Sequence, residues 1–313
     1  MPNILFADRP ENWPRYEAPL RAALSEAGIA AQLVLPGNIA PEAVDYIVYS
    51  PRGPVQDFTP FTRTRAVLSL WAGVERVVGN PTLSQPLCRM VDDGLSHGMV
   101  EWVVGHALRY HLGIDFFRDH QDGIWRQDGH VPPLARERGV SVLGLGALGG
   151  ACASALAGLG FRVTGWSRSA KALPGVTCLH GPEGLAAALA RAEILVTLLP
   201  NTPDTTDLLD RARLAQLPRG AVVLNPGRGN VLVDAALLEA LETGHLAGAT
   251  LDVFRTEPLP ADHPFWAHPK VTVTPHVAAE TRPASAARII AENIRRAEAG
   301  EPLLYLVDRA RGY

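Results

Sequence analysis

Three residues whose types suit proton and charge chemistry stand just after strand-like runs. Arg228 follows residues 221–225, Glu257 follows 249–254, and His276 follows 271–274. An imidazole can give a proton to a forming alkoxide or take one from an alcohol. A carboxylate can hold the other ring nitrogen, fixing the ring's orientation and favouring its charged form. A guanidinium can grip a carboxylate with two prongs and polarise the carbonyl beside it. Together the three meet the separate needs of moving a hydride to or from a carbonyl next to a carboxylate. Taken singly, each also suits a plainer use: a solvated cation between Gly227 and Gly229, a turn at Glu257-Pro258, a strand end at His276.

A hydride donor would need its own cradle, and residues 140–149, Val-Ser-Val-Leu-Gly-Leu-Gly-Ala-Leu-Gly, supply a candidate. They read as a buried strand running into a glycine turn. Gly144 lets the chain turn sharply, Gly146 removes a side chain where a pyrophosphate must approach the backbone, and Gly149 lets the next helix pack closely. That helix, about residues 148–159, would aim unpaired N–H groups at the phosphates. The spacing alone also fits a flexible loop, but a second strand at 161–166 completes a strand, helix, strand unit. Ser167 lies 23 positions after Gly144, where an NAD site places an acidic residue for the ribose hydroxyls. Here Ser167, Arg168 and Ser169 remove the carboxylate and add a cation, which favours NADP over NAD.

The elements that must position these residues alternate along the chain. A first α/β unit of about 95 residues reads as strands at 3–8, 31–35, 46–49 and 66–70, with a helix at 14–27 closed by Gly28. It contains Trp71-Ala-Gly-Val-Glu75, a glycine turn after a strand, which suits either an anion-binding run of N–H groups or a simple connection. A helix at 97–111 leads through an irregular stretch, 121–138, into six strands beginning at Val140 and ending at 271–274. Strands alternating with helices in this way make a doubly wound parallel sheet, with ligands at the strands' carboxyl ends. A last helix covers 283–299 and carries proline in its first turn.

Composition narrows the classes. The chain has 313 residues, 47% of them hydrophobic, and a net charge of −3, which gives no basic field for nucleic acid and no polybasic membrane patch. Residues 139–161 carry no charge, yet seven are glycine and the segment splits into a strand-like and a small-residue half, so we read no membrane span. The N-terminal apolar run stops at Asp8 and Arg9, unlike a secretion signal. Cys88, Cys152 and Cys178 are odd in number and far apart, which suits reduced structural thiols and no metal site. The expectation is a soluble, cytoplasmic protein.

At this point the chain resembles the D-isomer-specific 2-hydroxyacid dehydrogenases, over nearly its whole length. The matching segments are Gly144-Leu-Gly-Ala-Leu-Gly149, Leu199-Pro-Asn-Thr-Pro-Asp-Thr205, Asn225-Pro-Gly-Arg-Gly-Asn-Val-Leu-Val-Asp234, Leu251-Asp-Val-Phe254 with Glu257-Pro258, and Thr274-Pro-His-Val277. Their order, with 29 positions from Arg228 to Glu257 and 19 from Glu257 to His276, is similar to the family's Arg, Glu and His. The resemblance implies a Rossmann-like doubly wound domain, 97–279, inserted in a smaller flavodoxin-like α/β substrate domain, 1–96 plus 280–313. It implies Arg228, Glu257 and His276 as catalytic residues, with His276 the proton donor. Gly144, Gly146, Ala147, Leu148, Gly149, Ser167, Arg168, Ser169, Leu199, Pro200, Pro226 and Asp252 would bind the cofactor. Ala72, Gly73 and Val74 would offer N–H groups to the substrate carboxylate.

Trp71-Ala-Gly-Val-Glu75, Met99-Val-Glu-Trp102 and Trp166-Ser-Arg-Ser169 look most like an NADPH-using subgroup that reduces glyoxylate and hydroxypyruvate. That subgroup tends to carry a tryptophan near the substrate where this chain has Tyr49-Ser50-Pro51, which places Tyr49 among the substrate-binding residues. The alternatives are an NADP-linked dehydrogenase for a bulkier 2-oxoacid and a non-catalytic dinucleotide-sensing protein. The resemblance further implies a homodimer paired through the 97–111 helix and the 121–126 segment, with Trp125 reaching the partner's site or else anchoring its own loop.

Overall fold

The computed structural model describes residues 1–127, 131–309 and 312. The chain separates into two compact units, Met1–Leu95 with Glu280–Tyr313, and Ser96–Ala279.

The first unit is built on five parallel strands, β1 (Asn3–Ala7), β2 (Gln32–Val34), β3 (Tyr46–Tyr49), β4 (Ala66–Ser69) and β5 (Leu87–Cys88), in the order β2-β1-β3-β4-β5. That is the flavodoxin-like order. Its central strands read as continuous apolar runs because both faces are covered. Ile4, Phe6, Tyr46, Val48, Ala66 and Leu68 face α1 (Trp13–Glu26) and the helix that ends the fold, Pro283–Ala299, through Leu20, Leu24, Ala287, Ile290 and Ile294. Leu5, Ala7, Ile47, Tyr49 and Val67 face Val55, Phe58, Phe61, Val74 and Leu83 on the other side. The strand β5, too short to show a period, went unread in the sequence. It is held by the C-terminal tail, where Cys88 and Leu306 form an antiparallel bridge and Val307 N–H donates to Leu87 O at 2.8 Å.

The second unit has seven parallel strands: β6 (Gly139–Leu143), β7 (Arg162–Ser167), β8 (Val176–His180), β9 (Ile194–Thr197), β10 (Ala221–Asn225), β11 (Leu246–Leu251) and β12 (Val271–Val273). Their order is β12-β11-β10-β9-β6-β7-β8. It reverses direction at β6, the Rossmann-like switch point. The chain's helices there are α2 (Asp93–His111, in this unit from Ser96), α3 (Ile114–Asp119), α4 (Ala147–Gly158), α5 (Gly181–Ala190), α6 (Arg211–Leu214) and α7 (Asp234–Glu242), and the helix Pro283–Ala299 is α8. Val140, Val142, Ile194, Val196, Val222 and Leu224 pack on α2 and α4 through Val103, Ala107, Cys152 and Leu156. Leu143, Leu195, Val223 and Leu251 pack on α5 and α7 through Leu185, Leu189, Leu237 and Leu241.

Both layers match the expected α/β class, with seven strands instead of six. The extra one, β8, is an edge strand with every residue half-buried or exposed. A strand open to solvent lacks the apolar run that marks β6 or β10. The 97–111 helix begins four residues earlier, where Asp92 Oδ1 accepts Leu95 N–H at 2.9 Å, an N-terminal capping contact. The irregular 121–138 stretch contains residues 128–130, which lie outside the described residues. All three cysteines are free, Cys88 and Cys152 buried. Burial pushes the Cys152 thiol up to about 12, so it is an inert packing group. Among the described residues no helix is long and apolar enough to cross a membrane.

Candidate active site

Strands β10, β11 and β12 are parallel neighbours, so the segments leaving their carboxyl ends lie side by side. Those segments carry Arg228, Asp252 with Glu257, and His276. The ring of His276 and the carboxylate of Glu257 meet at 2.8 Å through Nδ1 and Oε2. The second oxygen of Glu257 accepts the Phe254 N–H at 3.1 Å, so the carboxylate is tied at both ends. Its side chain is 24% exposed while that of His276 is 50% exposed. Burial alone would raise the Glu257 carboxyl, but the hydrogen bonds from His276 and Phe254 and the charges of His276 and Arg228 outweigh it and hold it below its ordinary value of 4.5.

The backbone of His276 sits at φ +56°, a left-handed conformation uncommon outside glycine. A buried carboxylate keeps it there. Asp252, 1% exposed, accepts Thr274 Oγ1 at 2.5 Å and Val277 N–H at 2.9 Å through Oδ1, and Ala278 N–H at 3.0 Å through Oδ2. Its carbonyl accepts His276 N–H at 2.8 Å. Trp102 on α2 donates its indole N–H to Thr274 Oγ1 at 3.3 Å. Asp252 therefore fastens the histidine turn, a role its sequence does not reveal, and Thr274 and Trp102, legible only as members of family motifs, join it there. Only the Asp-Val-Phe and Thr-Pro-His motifs, read as partners, signal it.

Arg228 is set by similar means. Asn225, fully buried, accepts Thr197 Oγ1 at 3.1 Å and Gly227 N–H at 3.2 Å, and donates to Arg228 O at 3.2 Å. A Cβ on Gly227 would come within 2.7 Å of Thr197 O, and one on Gly229 within 2.0 Å of the Phe254 backbone. The two glycines thus let the arginine's segment press against β9 and the turn after β11. Its guanidinium donates to Gly227 O at 2.7 Å.

The glycines of the first turn do three different things. Gly144 has φ +99°, and a Cβ there would lie 2.5 Å from Leu198 O. Gly149 packs so tightly that a Cβ would fall 1.7 Å from Gly144 O. Gly146, at the N-cap of α4, is exposed, and a Cβ there would meet nothing within 4 Å. It is the one whose side chain would project into space a ligand can use. Ala147 is exposed and Leu148 half-buried at the same helix start, while Leu199 and Pro226 are buried at the ends of β9 and β10. Pro200 O accepts Thr205 Oγ1 at 2.6 Å, closing the 200–205 loop. At the end of β7, Ser167 Oγ donates to Ser169 O at 2.7 Å and Arg168 is exposed.

In the first unit, Ala72 and Gly73 are half-open and Val74 is buried in the turn after β4. Tyr49 departs from the substrate-facing place expected of it. It is 2% exposed, with its ring 5.3 Å from that of Phe58, and burial raises its hydroxyl. It ends β3 on an inward register, so it is a core residue.

A doubly wound nucleotide fold with a paired His and Glu and a fixed Arg at one edge defines a dinucleotide-dependent oxidoreductase. Residues 106–278 match the D-isomer specific 2-hydroxyacid dehydrogenase, NAD binding domain. Glyoxylate/hydroxypyruvate reductase A of Serratia proteamaculans is 39% identical over 99% of this chain and 100% of that protein. A D-isomer specific 2-hydroxyacid dehydrogenase of Xanthobacter autotrophicus Py2, solved with NADPH and MES, superposes with a TM-score of 0.91 at 42% identity, over 100% of this chain and 99% of that one. The NADPH-dependent glyoxylate/hydroxypyruvate reductase of Sinorhizobium meliloti, solved with NADP and sulfate, gives 0.87 at 34% identity over the full length of both. The chain belongs to the D-isomer-specific 2-hydroxyacid dehydrogenase family and is an NAD(P)-dependent dehydrogenase.

The glycine geometry makes a stability test possible. Gly149→Ala forces a Cβ onto a carbonyl and should cost about 1–3 kcal/mol or more of overpacking, whereas Gly146→Ala should unfold at the same urea midpoint as the unaltered chain. Equal midpoints for the two variants would contradict this division of roles.

Proposed function

We propose that this enzyme reduces small 2-oxoacids, glyoxylate and hydroxypyruvate, to 2-hydroxyacids with NADPH, and that His276 is the proton donor. The observation that carries the reading is the 2.8 Å pairing of His276 with Glu257 on a turn held by a buried carboxylate. Gly144, Gly146, Ala147, Leu148 and Gly149 would hold the pyrophosphate, and Leu199, Pro200 and Pro226 would line the rest of the cofactor at the neighbouring strand ends, with Asp252 serving it through the turn that its carboxylate fastens. The open space at Gly146 and the clash-limited Gly144 and Gly149 fit that group. The bound nucleotide supplies the hydride. Arg228 pairs with the substrate carboxylate and polarises the carbonyl. His276 delivers its proton to the carbonyl oxygen, and Glu257 stabilises the charged ring before the transfer. In the first unit, we assign the N–H groups of Ala72, Gly73 and Val74 to the substrate carboxylate. The relatives' names and NADPH complexes support the substrate and cofactor classes.

His276→Ala should lower the rate of glyoxylate reduction by roughly 10² to 10⁴-fold while NADPH still binds, as read by its fluorescence. In the unaltered enzyme, reduction should weaken as rising pH removes the ring proton, and 2-hydroxyacid oxidation should show the opposite limb. Because Glu257 is held below 4.5, its carboxylate survives through the mildly acid range and its loss affects the rate only below that value. Near-normal turnover by His276→Ala would remove the proton-donor assignment.

We assign the choice of NADPH to Ser167, Arg168 and Ser169, which present hydroxyls and a cation where NAD enzymes place a carboxylate. Ser167→Asp with Arg168→Ala should reverse the preference, mainly through the KM for NADPH, since the removed contacts bind ground and transition states alike. Equal use of NADH and NADPH by the unaltered enzyme would refute it.

We further propose a homodimer. Trp125, 89% exposed, with Ile124 exposed beside it, suits a partner's surface. Light scattering at micromolar concentration should give twice the chain mass of 33.6 kDa; a monomer there would exclude the pairing.

A further inference from the structure

One guanidinium in the second unit joins three loops that leave the neighbouring strands β9, β10 and β11. Arg255 stands on the loop after β11, three residues past Asp252 and two before Glu257. Its Nη2 donates to Asp207 Oδ1, on the loop after β9, and to Leu232 O, on the segment that follows Arg228. Its Nε donates to Leu232 O at 3.1 Å and stands 3.8 Å from Asp234 Oδ1. The other oxygen of Asp234, the first residue of α7, faces His263 Nε2 at 3.6 Å. His263 lies at the far end of the loop that Arg255 opens, and its Nδ1 accepts Phe265 N–H at 3.3 Å.

Glu257 lies between these two anchors. Arg255 directly follows Phe254, whose N–H holds Glu257 Oε1 at 3.1 Å, so whatever fixes Arg255 also fixes the peptides around that contact. The backbones meet there as well: a Cβ on Gly229 would come within 2.0 Å of Phe254 C and 2.5 Å of Arg255 N. The side chains of Arg255 and Asp234 are 34% and 29% exposed, partly withdrawn from the water that would screen them. Burial holds the Asp234 carboxyl above its ordinary value of 3.8, and the charges of Arg255 and His263 oppose that rise. A planar guanidinium spread over a carbonyl and two carboxylates sets direction as well as distance, which a point charge would not.

We propose that Arg255, with Asp234 as its counter-charge, is a positioning residue for the proton transfer: it holds the loop that carries Glu257 against the segment that carries Arg228, and so keeps Glu257 on the ring of His276. The inference rests on the assignment of His276 as proton donor. Arg255 acts through Glu257, and His263 secures the other end of the same loop. A hydrogen bond weakens steeply as it lengthens or bends, and a misplacement of about 1 Å at a reacting centre can cost a large factor in rate. The three-loop contact therefore serves rate by fixing where one carboxylate stands.

A double-mutant cycle with Glu257 tests this. Arg255→Gln should lower kcat for glyoxylate reduction about tenfold, within the range that misplacing a reacting group produces. In a Glu257→Gln background the same substitution should change kcat by a factor of about one, because the group it positions is already gone. The pH profile gives a second reading. A ring without a well-placed carboxylate gives up its proton more readily, so the falling limb of the reduction rate should move to lower pH in Arg255→Gln, the same direction as in Glu257→Gln. Asp234→Asn keeps the shape and removes the charge; it should repeat both results in milder form, and it carries the test if the arginine variant does not fold. An unchanged kcat, an equal loss of kcat in the two backgrounds, or an unmoved limb would mark a contact that only stabilises the fold and would overturn the proposal. Near-normal turnover by His276→Ala would instead overturn the reading beneath it, whatever Arg255→Gln does.

Discussion

The carboxylate of Asp252 is the contact on which the reactive end of the second unit depends. It is almost wholly buried, so leaving its oxygens unpaired would cost several kcal/mol. Three donors, Thr274 Oγ1, Val277 N–H and Ala278 N–H, satisfy it, and all three belong to the segment around His276. Satisfying the buried charge and shaping the turn are therefore one event. The turn carries His276 into a left-handed backbone conformation that few residues adopt unaided. From that position the ring meets Glu257, whose other oxygen is tied to the chain at Phe254. Each polar group is fixed by the next, and the series ends on the imidazole of His276.

The same economy of position governs the glycines. At Gly149, Gly227 and Gly229 a single added carbon would strike backbone atoms, so these residues exist to let chain segments touch. Gly165 is a milder case, where an added Cβ would come within 2.7 Å of the Leu145 side chain. Gly146 is opposite in kind, because nothing of the protein occupies the space beside it. A motif that looks uniform in sequence thus divides into residues that close the fold and one that opens it.

The sequence makes some of this legible and hides the rest. Arg228, Glu257 and His276 were legible because each is a polar residue set directly after an apolar strand, and parallel neighbours bring strand ends together without further information. The alternation of strands and helices gave the two sheets for the same reason. Asp252 was legible as part of a motif but not as the fastener of the histidine turn, since its partners are mostly backbone N–H groups with no sequence signature. Tyr49 was misplaced because a ring with a hydroxyl next to a proline turn suits a binding surface, yet the strand's two-residue period turns it inward against Phe58. The edge strand β8 was missed because solvent on its open side removes the pattern that reveals buried strands.

Charge near His276 is governed by which groups the hydrogen bonds hold. The chain as a whole is slightly acidic, at −3, which on its own would repel a carboxylate substrate. Near His276 the acidic groups are committed: Asp252 is enclosed by its three donors and Glu257 is held by the ring and the Phe254 N–H. Arg228 is held by the backbone of its own turn and adds positive charge felt at Glu257. A committed carboxylate presents little field to an incoming anion because its donors' dipoles oppose it, whereas a guanidinium carries its charge at any working pH. The local field can therefore favour an anionic substrate on a net-negative protein, and what sets its sign is which charges the hydrogen bonds have already used.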